Sequence, residues 1–123
     1  MSMVSRAAVA VIALAAVLVS AAGGATPNAG QAVYDRECAQ CHGATGKGDG
    51  EEAVYLTPQP KDFTTGILDK RGDDFLAEVI TKGGKAKGLS ESMPGSSKLS
   101  TAEVKDLIAY IRQLGKGAGQ KGK

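Results

Sequence analysis

Residues 38 to 42, Cys-Ala-Gln-Cys-His, set two thiols two residues apart with an imidazole directly after the second. Three chemistries use such a group. The first is covalent haem attachment. Each thiol adds to one vinyl group of the porphyrin, and two intervening residues let both sulfurs reach from one helical turn. The histidine that follows then lies under the iron, so the spacing specifies two anchors, Cys38 and Cys41, and one axial ligand, His42. The second is dithiol redox chemistry, which calls for a βαβ context that is not visible here. The third is zinc, which wants four tetrahedral ligands. Only Cys38, Cys41 and His42 are on offer, and His42 is the sole histidine in the chain. Adjacent Cys41 and His42 are poorly placed to share one ion.

The start of the chain bears on this choice. Arg6 precedes an apolar run from Ala7 to Val19, and small residues with A-x-A-like cleavage options follow up to Ala25. That is the layout of a secretory signal peptide over residues 1–25. The run is short for a membrane span of about 20 residues, and Ser20, Gly23 and Gly24 interrupt its extension. Cleavage is expected; a retained N-terminal anchor is the alternative. Export permits a disulfide between Cys38 and Cys41, but a bridge over so short a loop stabilises little. An exported C-x-x-C-H favours haem.

Composition asks for a cofactor too. From Thr26 onward there are 14 Lys and Arg against 13 Asp and Glu, which is no nucleic-acid signature. Leu, Ile, Val and Phe number only 17 over the same stretch. That falls below the roughly one-fifth at which a packed core becomes doubtful. A large flat apolar group would supply the missing core. Without it the chain is expected to be largely unfolded.

The elements that must position these residues are helical. A first helix is expected over Ala29–Gln40, with Asn28 as its N-cap. Gly43 to Phe63 reads as a long loop, broken by Gly43, Gly46, Gly48, Gly50, Pro58 and Pro60. A second helix is expected over Asp73–Lys82, where Phe75, Leu76, Val79 and Ile80 share a face and Gly83 follows. The next loop carries Met93 before Pro94. Ser100 to Glu103 is a capping-box pattern opening a last helix, with Val104, Leu107, Ile108, Ile111 and Leu114 at helical spacing and Gly115 as its stop. Residues 26–115 form the domain, and 116–123 a flexible Gly- and Lys-rich tail. There is no strand pattern and no internal repeat, so the fold class is all-α.

From Gly30 to Leu114 the chain resembles the class I cytochromes c, small single-haem electron carriers. The stretches "GQAVYDRECAQCHGATGKGDG", "LTPQPKDFT", "ITKGG", "MPG" and "LSTAEVKDLIAYIRQL" carry the resemblance. It implies three to four helices and long loops wrapped around one covalently bound haem c, with Met93 as the distal iron ligand opposite His42. Met93 is the one methionine left once Met1 and Met3 leave with the signal. A methionine can instead fill a core gap, but this one lies in a Gly- and Ser-rich loop and not on an apolar helical face. The resemblance also implies that the first and last helices cross, with Gly30 at the close approach and Tyr34 and Tyr110 at the contact. An early helix glycine usually has a packing reason, the alternative being that Gly30 merely begins the helix. Tyr34, Leu56, Phe63, Phe75, Leu76, Ile80, Leu107 and Ile111 are the expected haem shell.

Two departures from the family stand out. Relatives commonly place a proline soon after the "GDG" run, near a carbonyl that accepts from the proximal histidine; here Glu51-Glu52-Ala53 follows. Relatives also often carry an aromatic residue after Met-Pro-Gly, where this chain has Ser96 and Ser97. The function implied is one-electron transfer in the periplasm or an equivalent exported compartment, between redox partner proteins met as a monomer or in weak transient complexes. Alternatives are a haem subunit of a dehydrogenase or oxidase, or an open-site sensor or peroxidase if Met93 does not ligate. Lys82, Lys85, Lys87 and Lys98 bracket the Met93 loop and would steer an acidic partner if they ring the haem edge; an ordinary solvated surface is the plainer reading.

Overall fold

The computed structural model describes residues 24 to 118, and Ala15. The expected signal segment, apart from Ala15, Gly24 and Ala25, lies outside the described residues, as do residues 119–123. Four α-helices carry the fold: α1 (Pro27–Glu37), α2 (Ala39–His42), α3 (Asp73–Lys82) and α4 (Thr101–Ala118). Short 3₁₀ turns at Ala53–Tyr55, Phe63–Thr65 and Gly84–Lys87 shape the connecting segments, and no strand occurs among the described residues.

The first expected helix is two. Its N-cap is Thr26, not Asn28, because Pro27 takes the first helical position. Proline suits that position: its ring presets φ, and its missing N–H would have no helical partner there. At the other end Cys38 leaves helical geometry with φ −123°. Its carbonyl then accepts from the N–H groups of both Cys41 (3.2 Å) and His42 (2.9 Å), so the C-x-x-C-H residues form a turn of their own.

Helix α3 has the expected bounds. Asp73 and Asp74 sit in its first turn and Lys82 in its last, matching charge to the helix dipole. The capping box of α4 forms in both directions. The Glu103 N–H donates to Ser100 Oγ (3.1 Å), and the Ser100 N–H donates to Glu103 Oε2 (2.9 Å). The helix does not stop at Gly115 but runs to Ala118, so the expected tail begins inside it. Gly115 serves packing instead: a Cβ there would lie 3.1 Å from the Phe63 carbonyl oxygen.

Helices α1 and α4 cross at Gly30. A Cβ on Gly30 would collide with the Asp106 carbonyl and come within 2.9 Å of Tyr110 Cβ, so the glycine permits the approach and does not merely open the helix. Tyr34 and Tyr110 pack beside it, ring centroids 5.2 Å apart. Val33, Tyr34, Val104, Leu107, Ile108, Tyr110 and Ile111 form the buried seam, and Leu76 and Ile80 close it from α3. Arg112 ties α4 to the α3 entry, donating to Asp73 Oδ1 and to the carbonyls of Leu68 and Arg71.

Candidate functional site

The C-x-x-C-H turn is held from beneath and from the side. Beneath it, the fully buried Tyr34 donates its hydroxyl to the Gly43 carbonyl at 2.6 Å, next to His42. Tyr34 thus reaches the site through the backbone after the histidine. From the side, the Gly-rich loop folds back on the turn. The N–H groups of Glu52, Gly50 and Gly48 donate to the carbonyls of Gln40 (3.0 Å), Cys41 (3.1 Å) and His42 (2.8 Å). A helix end leaves such carbonyls without helical partners, and here the loop satisfies them. Gly48 is required in this arrangement: its φ is +76°, and a Cβ would strike the Pro60 carbonyl.

His42 is half-buried, and its ring stacks on Phe63. Burial lowers its pKa; the Lys61 carbonyl nearby pulls weakly the other way. The imidazole is therefore neutral near pH 7, the form that ligates metals. The Lys61 carbonyl acts on the ring without reaching hydrogen-bond geometry, and Nδ1 remains buried and unpartnered. The carbonyl nearest in effect thus comes from the residue after Pro60. No side-chain pattern marks a backbone carbonyl, so the sequence carried no signal for Lys61.

Both cysteines are free and half-buried. Burial, then the charges of Glu37 and Cys41, push the Cys38 thiol up to about 12. Dithiol exchange needs a thiolate, so this environment serves redox shuffling poorly. Thioether formation leaves a neutral sulfur that suits such a setting.

The surroundings fit an absent apolar group. Val54 and Tyr55 are 72% and 80% exposed, and Ile67 and Leu89 are also exposed. Of the expected shell, Tyr34, Leu76, Ile80, Leu107 and Ile111 are buried, whereas Leu56, Phe63 and Phe75 are only partly so. Exposed Val54 and Tyr55 on the 3₁₀ turn that packs against α2, together with two free thiols and a neutral imidazole, match a covalently held haem. A cavity of about 510 Å³ lies elsewhere: Ala77, Val104, Ile108 and Arg112 line it, and no predicted site residue does.

Met93 is half-buried in a loop pinned to the end of α3. The Gly84 N–H donates to the Met93 carbonyl (3.0 Å), and the Ser96 N–H donates to the Ile80 carbonyl (2.7 Å). The two backbones nearly touch, since a Cβ on Gly95 would lie 2.6 Å from the Lys82 carbonyl carbon. The "ITKGG" and "MPG" stretches are thus one packed unit. Of the four lysines around it, Lys85 pairs with Glu91 (3.2 Å) and Lys87 with Glu78 (2.7 Å). Glu78, remote in sequence from the loop, removes part of the basic excess expected there.

Crossed helices that carry a C-x-x-C-H turn at the end of the first define a small all-α protein built around a covalently attached haem. The chain belongs to the cytochrome c family, whose model matches residues 27–115. It is 34% identical over 88 residues to cytochrome c-554(547) of Halothiobacillus neapolitanus, covering 70% of this chain and 93% of that protein. It is also 34% identical over 90 residues to the Cbb3-type cytochrome c oxidase subunit CcoP of Azospirillum brasilense. The match covers 72% of this chain but 28% of that subunit. A second CcoP, from Azospirillum sp. (strain B510), matches at 34% over 89 residues and again over 28% of its length. The cofactor is haem c, and the family's chemistry is electron transfer.

Proposed function

We propose that this chain is a one-electron carrier of the periplasm or an equivalent exported compartment, not an enzyme. Cys38 and Cys41 anchor the haem, and His42 and Met93 ligate its iron. Bound haem c supplies an iron that takes up and returns one electron. The chain's own residues do the rest. Cys38 and Cys41 fix the macrocycle against α2. Burial keeps His42 neutral and able to donate its lone pair. Met93 offers a thioether from a loop tied to α3, and thioether sulfur favours the ferrous state and raises the potential. With His42 and Met93 both holding the iron, this chain would offer it two strong ligands and leave no place for an exchangeable one.

The observation that carries this reading is the C-x-x-C-H turn itself: free thiols at the capping residue Cys38 and at Cys41 of the four-residue helix, with a neutral imidazole at its end, and carbonyls that the loop satisfies. Mass spectrometry of haem-matured protein tests the anchors. Cys38→Ala and Cys41→Ala should each leave one thioether, and the double variant none; a haem retained covalently by the double variant would sink the assignment.

Residues 1–25 are read as a removable export signal. Intact mass of the secreted protein should begin near Thr26, whereas a retained segment would mean a membrane-anchored form. Among the described residues no helix is long and apolar enough to cross a membrane.

A second reading has its own support. The match to the CcoP subunits allows a haem module working inside a larger oxidase. The near full-length match to cytochrome c-554(547) favours the free carrier. Gentle purification separates the two: a carrier runs alone, and a subunit brings partner chains with it.

A further inference from the structure

The ring of Phe63 lies on the imidazole of His42, with centroids 4.6 Å apart and planes 22° from parallel. The phenyl is itself held from several sides. Its own N–H donates to the Gly46 carbonyl at 2.7 Å. A Cβ on Gly46 would stand 3.4 Å from Phe63 Cδ2 and 2.9 Å from Leu114 Cδ1, so the loop backbone closes tightly over the ring. Gly115 of α4 sits against the Phe63 carbonyl. Asp62 caps the 3₁₀ turn that Phe63 opens, accepting from the Thr64 N–H (2.8 Å) and hydroxyl (2.6 Å). The phenyl cannot slide without moving the Gly-rich loop or the last turns of α4.

A histidine on a fixed turn keeps one soft motion, rotation of the ring about Cβ–Cγ, whose energy well is broad. A hydrogen bond from the second ring nitrogen would ordinarily set that angle. Here Nδ1 makes no hydrogen bond of ordinary geometry, the Lys61 carbonyl acts on the ring only weakly, and the flat face of Phe63 packs directly on the imidazole and restricts it. The plane of an axial imidazole decides which iron d-orbital its π-electrons raise, and hence the magnetic anisotropy of ferric iron.

We propose that Phe63 is a positioning residue that sets the rotational orientation of the His42 imidazole plane, and through it the electronic anisotropy of the haem iron. This rests on the reading of His42 as an iron ligand.

The test uses the full haem-loaded chain in its ferric state, as wild type, Phe63→Leu, Phe63→Met and Phe63→Tyr. The readouts are the order and spread of the haem-methyl proton shifts and the principal g-values in electron paramagnetic resonance. Loss of packing alone lowers stability and does not reorder these signals. Leu and Met fill the space without a flat face, and both should remain low-spin while shifting the methyl pattern and broadening the largest g-value. Tyr keeps the face and should preserve the wild-type pattern. Phe63→Met serves in place of Phe63→Leu if the latter does not fold. Wild-type patterns in the Leu or Met protein would overturn the role. A wild-type protein without low-spin signals would instead overturn the joint His42 and Met93 ligation on which the reading rests, and the Phe63 role with it. The first failure appears only in the variants and the second already in wild type, so the two are distinct.

Discussion

Tyr34 shows how one side chain joins the core to the site. Its ring belongs to the α1–α4 seam, while its hydroxyl holds the carbonyl directly after His42. Tyr34→Phe keeps the packing and removes the bond. Gly43 O still accepts from the Gly46 N–H, so the loss should be about 1–2 kcal/mol in urea melts. An unchanged midpoint would show that the bond contributes nothing. The same residue shapes alkaline behaviour. A tyrosine in the unfolded chain loses its proton near pH 10. Burial first, then neighbouring negative charge, raises the pKa of Tyr34 in the folded chain well above that. Below about pH 10 both states are protonated and Tyr34 adds no pH dependence. Above it the unfolded chain binds fewer protons, so stability falls, at most by about 1.4 kcal/mol per pH unit for one proton. Melts at pH 9 and pH 11 should fall further apart in wild type than in Tyr34→Phe; equal separations would contradict the assignment. Sequence reading placed Tyr34 near the haem but could not see that its contact runs through a backbone carbonyl, because periodicity marks a buried position and not a hydroxyl's partner.

The element scale is governed by two close approaches. Gly30→Ala would drive a methyl into the Asp106 carbonyl, which is helix backbone and cannot swing aside. Overpacking of this kind costs about 1–3 kcal/mol, and the α1–α4 crossing should open accordingly. Calorimetry should record a lowered Tm, and a wild-type Tm would mean that the crossing tolerates a side chain. Gly95→Ala would push the Met93 loop off the end of α3. Its expected signature is local: a weakened long-wavelength sulfur–iron band with helix content retained. An unaltered band would mean that Met93 does not depend on that contact. The strongly periodic elements were legible in the sequence. Helix α3 appeared with its bounds because its apolar face and terminal charges agree, and the α4 cap because Ser100 and Glu103 satisfy each other. The breaks were not legible. Cys38 divides the first helix by a change of backbone angle that its residue type does not signal, and α4 passes through Gly115, which packs on the remote Phe63 carbonyl. The same holds for the loop from Gly43 to Phe63, whose path is set by backbone bonds to Gln40, Cys41, His42 and Gly46.

At the scale of the whole molecule, the buried seam is confined to α1, α3 and α4, while Val54, Tyr55, Ile67 and Leu89 remain exposed. A chain with so few large apolar residues depends on its cofactor for a complete core. A Cys38→Ala, Cys41→Ala protein free of haem should therefore lack native-like helix and cooperative melting by circular dichroism; a cooperative transition in that protein would contradict this dependence. The deficit was readable from composition, as was the haem c cofactor from the C-x-x-C-H spacing. The placement of Lys87 against Glu78 was not, since it needs the fold to bring the two together. The central claim is that His42 and Met93 close both axial positions of the haem iron. Optical spectra of the haem-matured protein, oxidised and reduced, with carbon monoxide added to the reduced sample, test it most directly. We expect a low-spin spectrum, a weak long-wavelength sulfur–iron band when ferric, and no response to carbon monoxide. A high-spin spectrum or rapid carbon monoxide binding would contradict the claim and make gas sensing or peroxide chemistry the leading function.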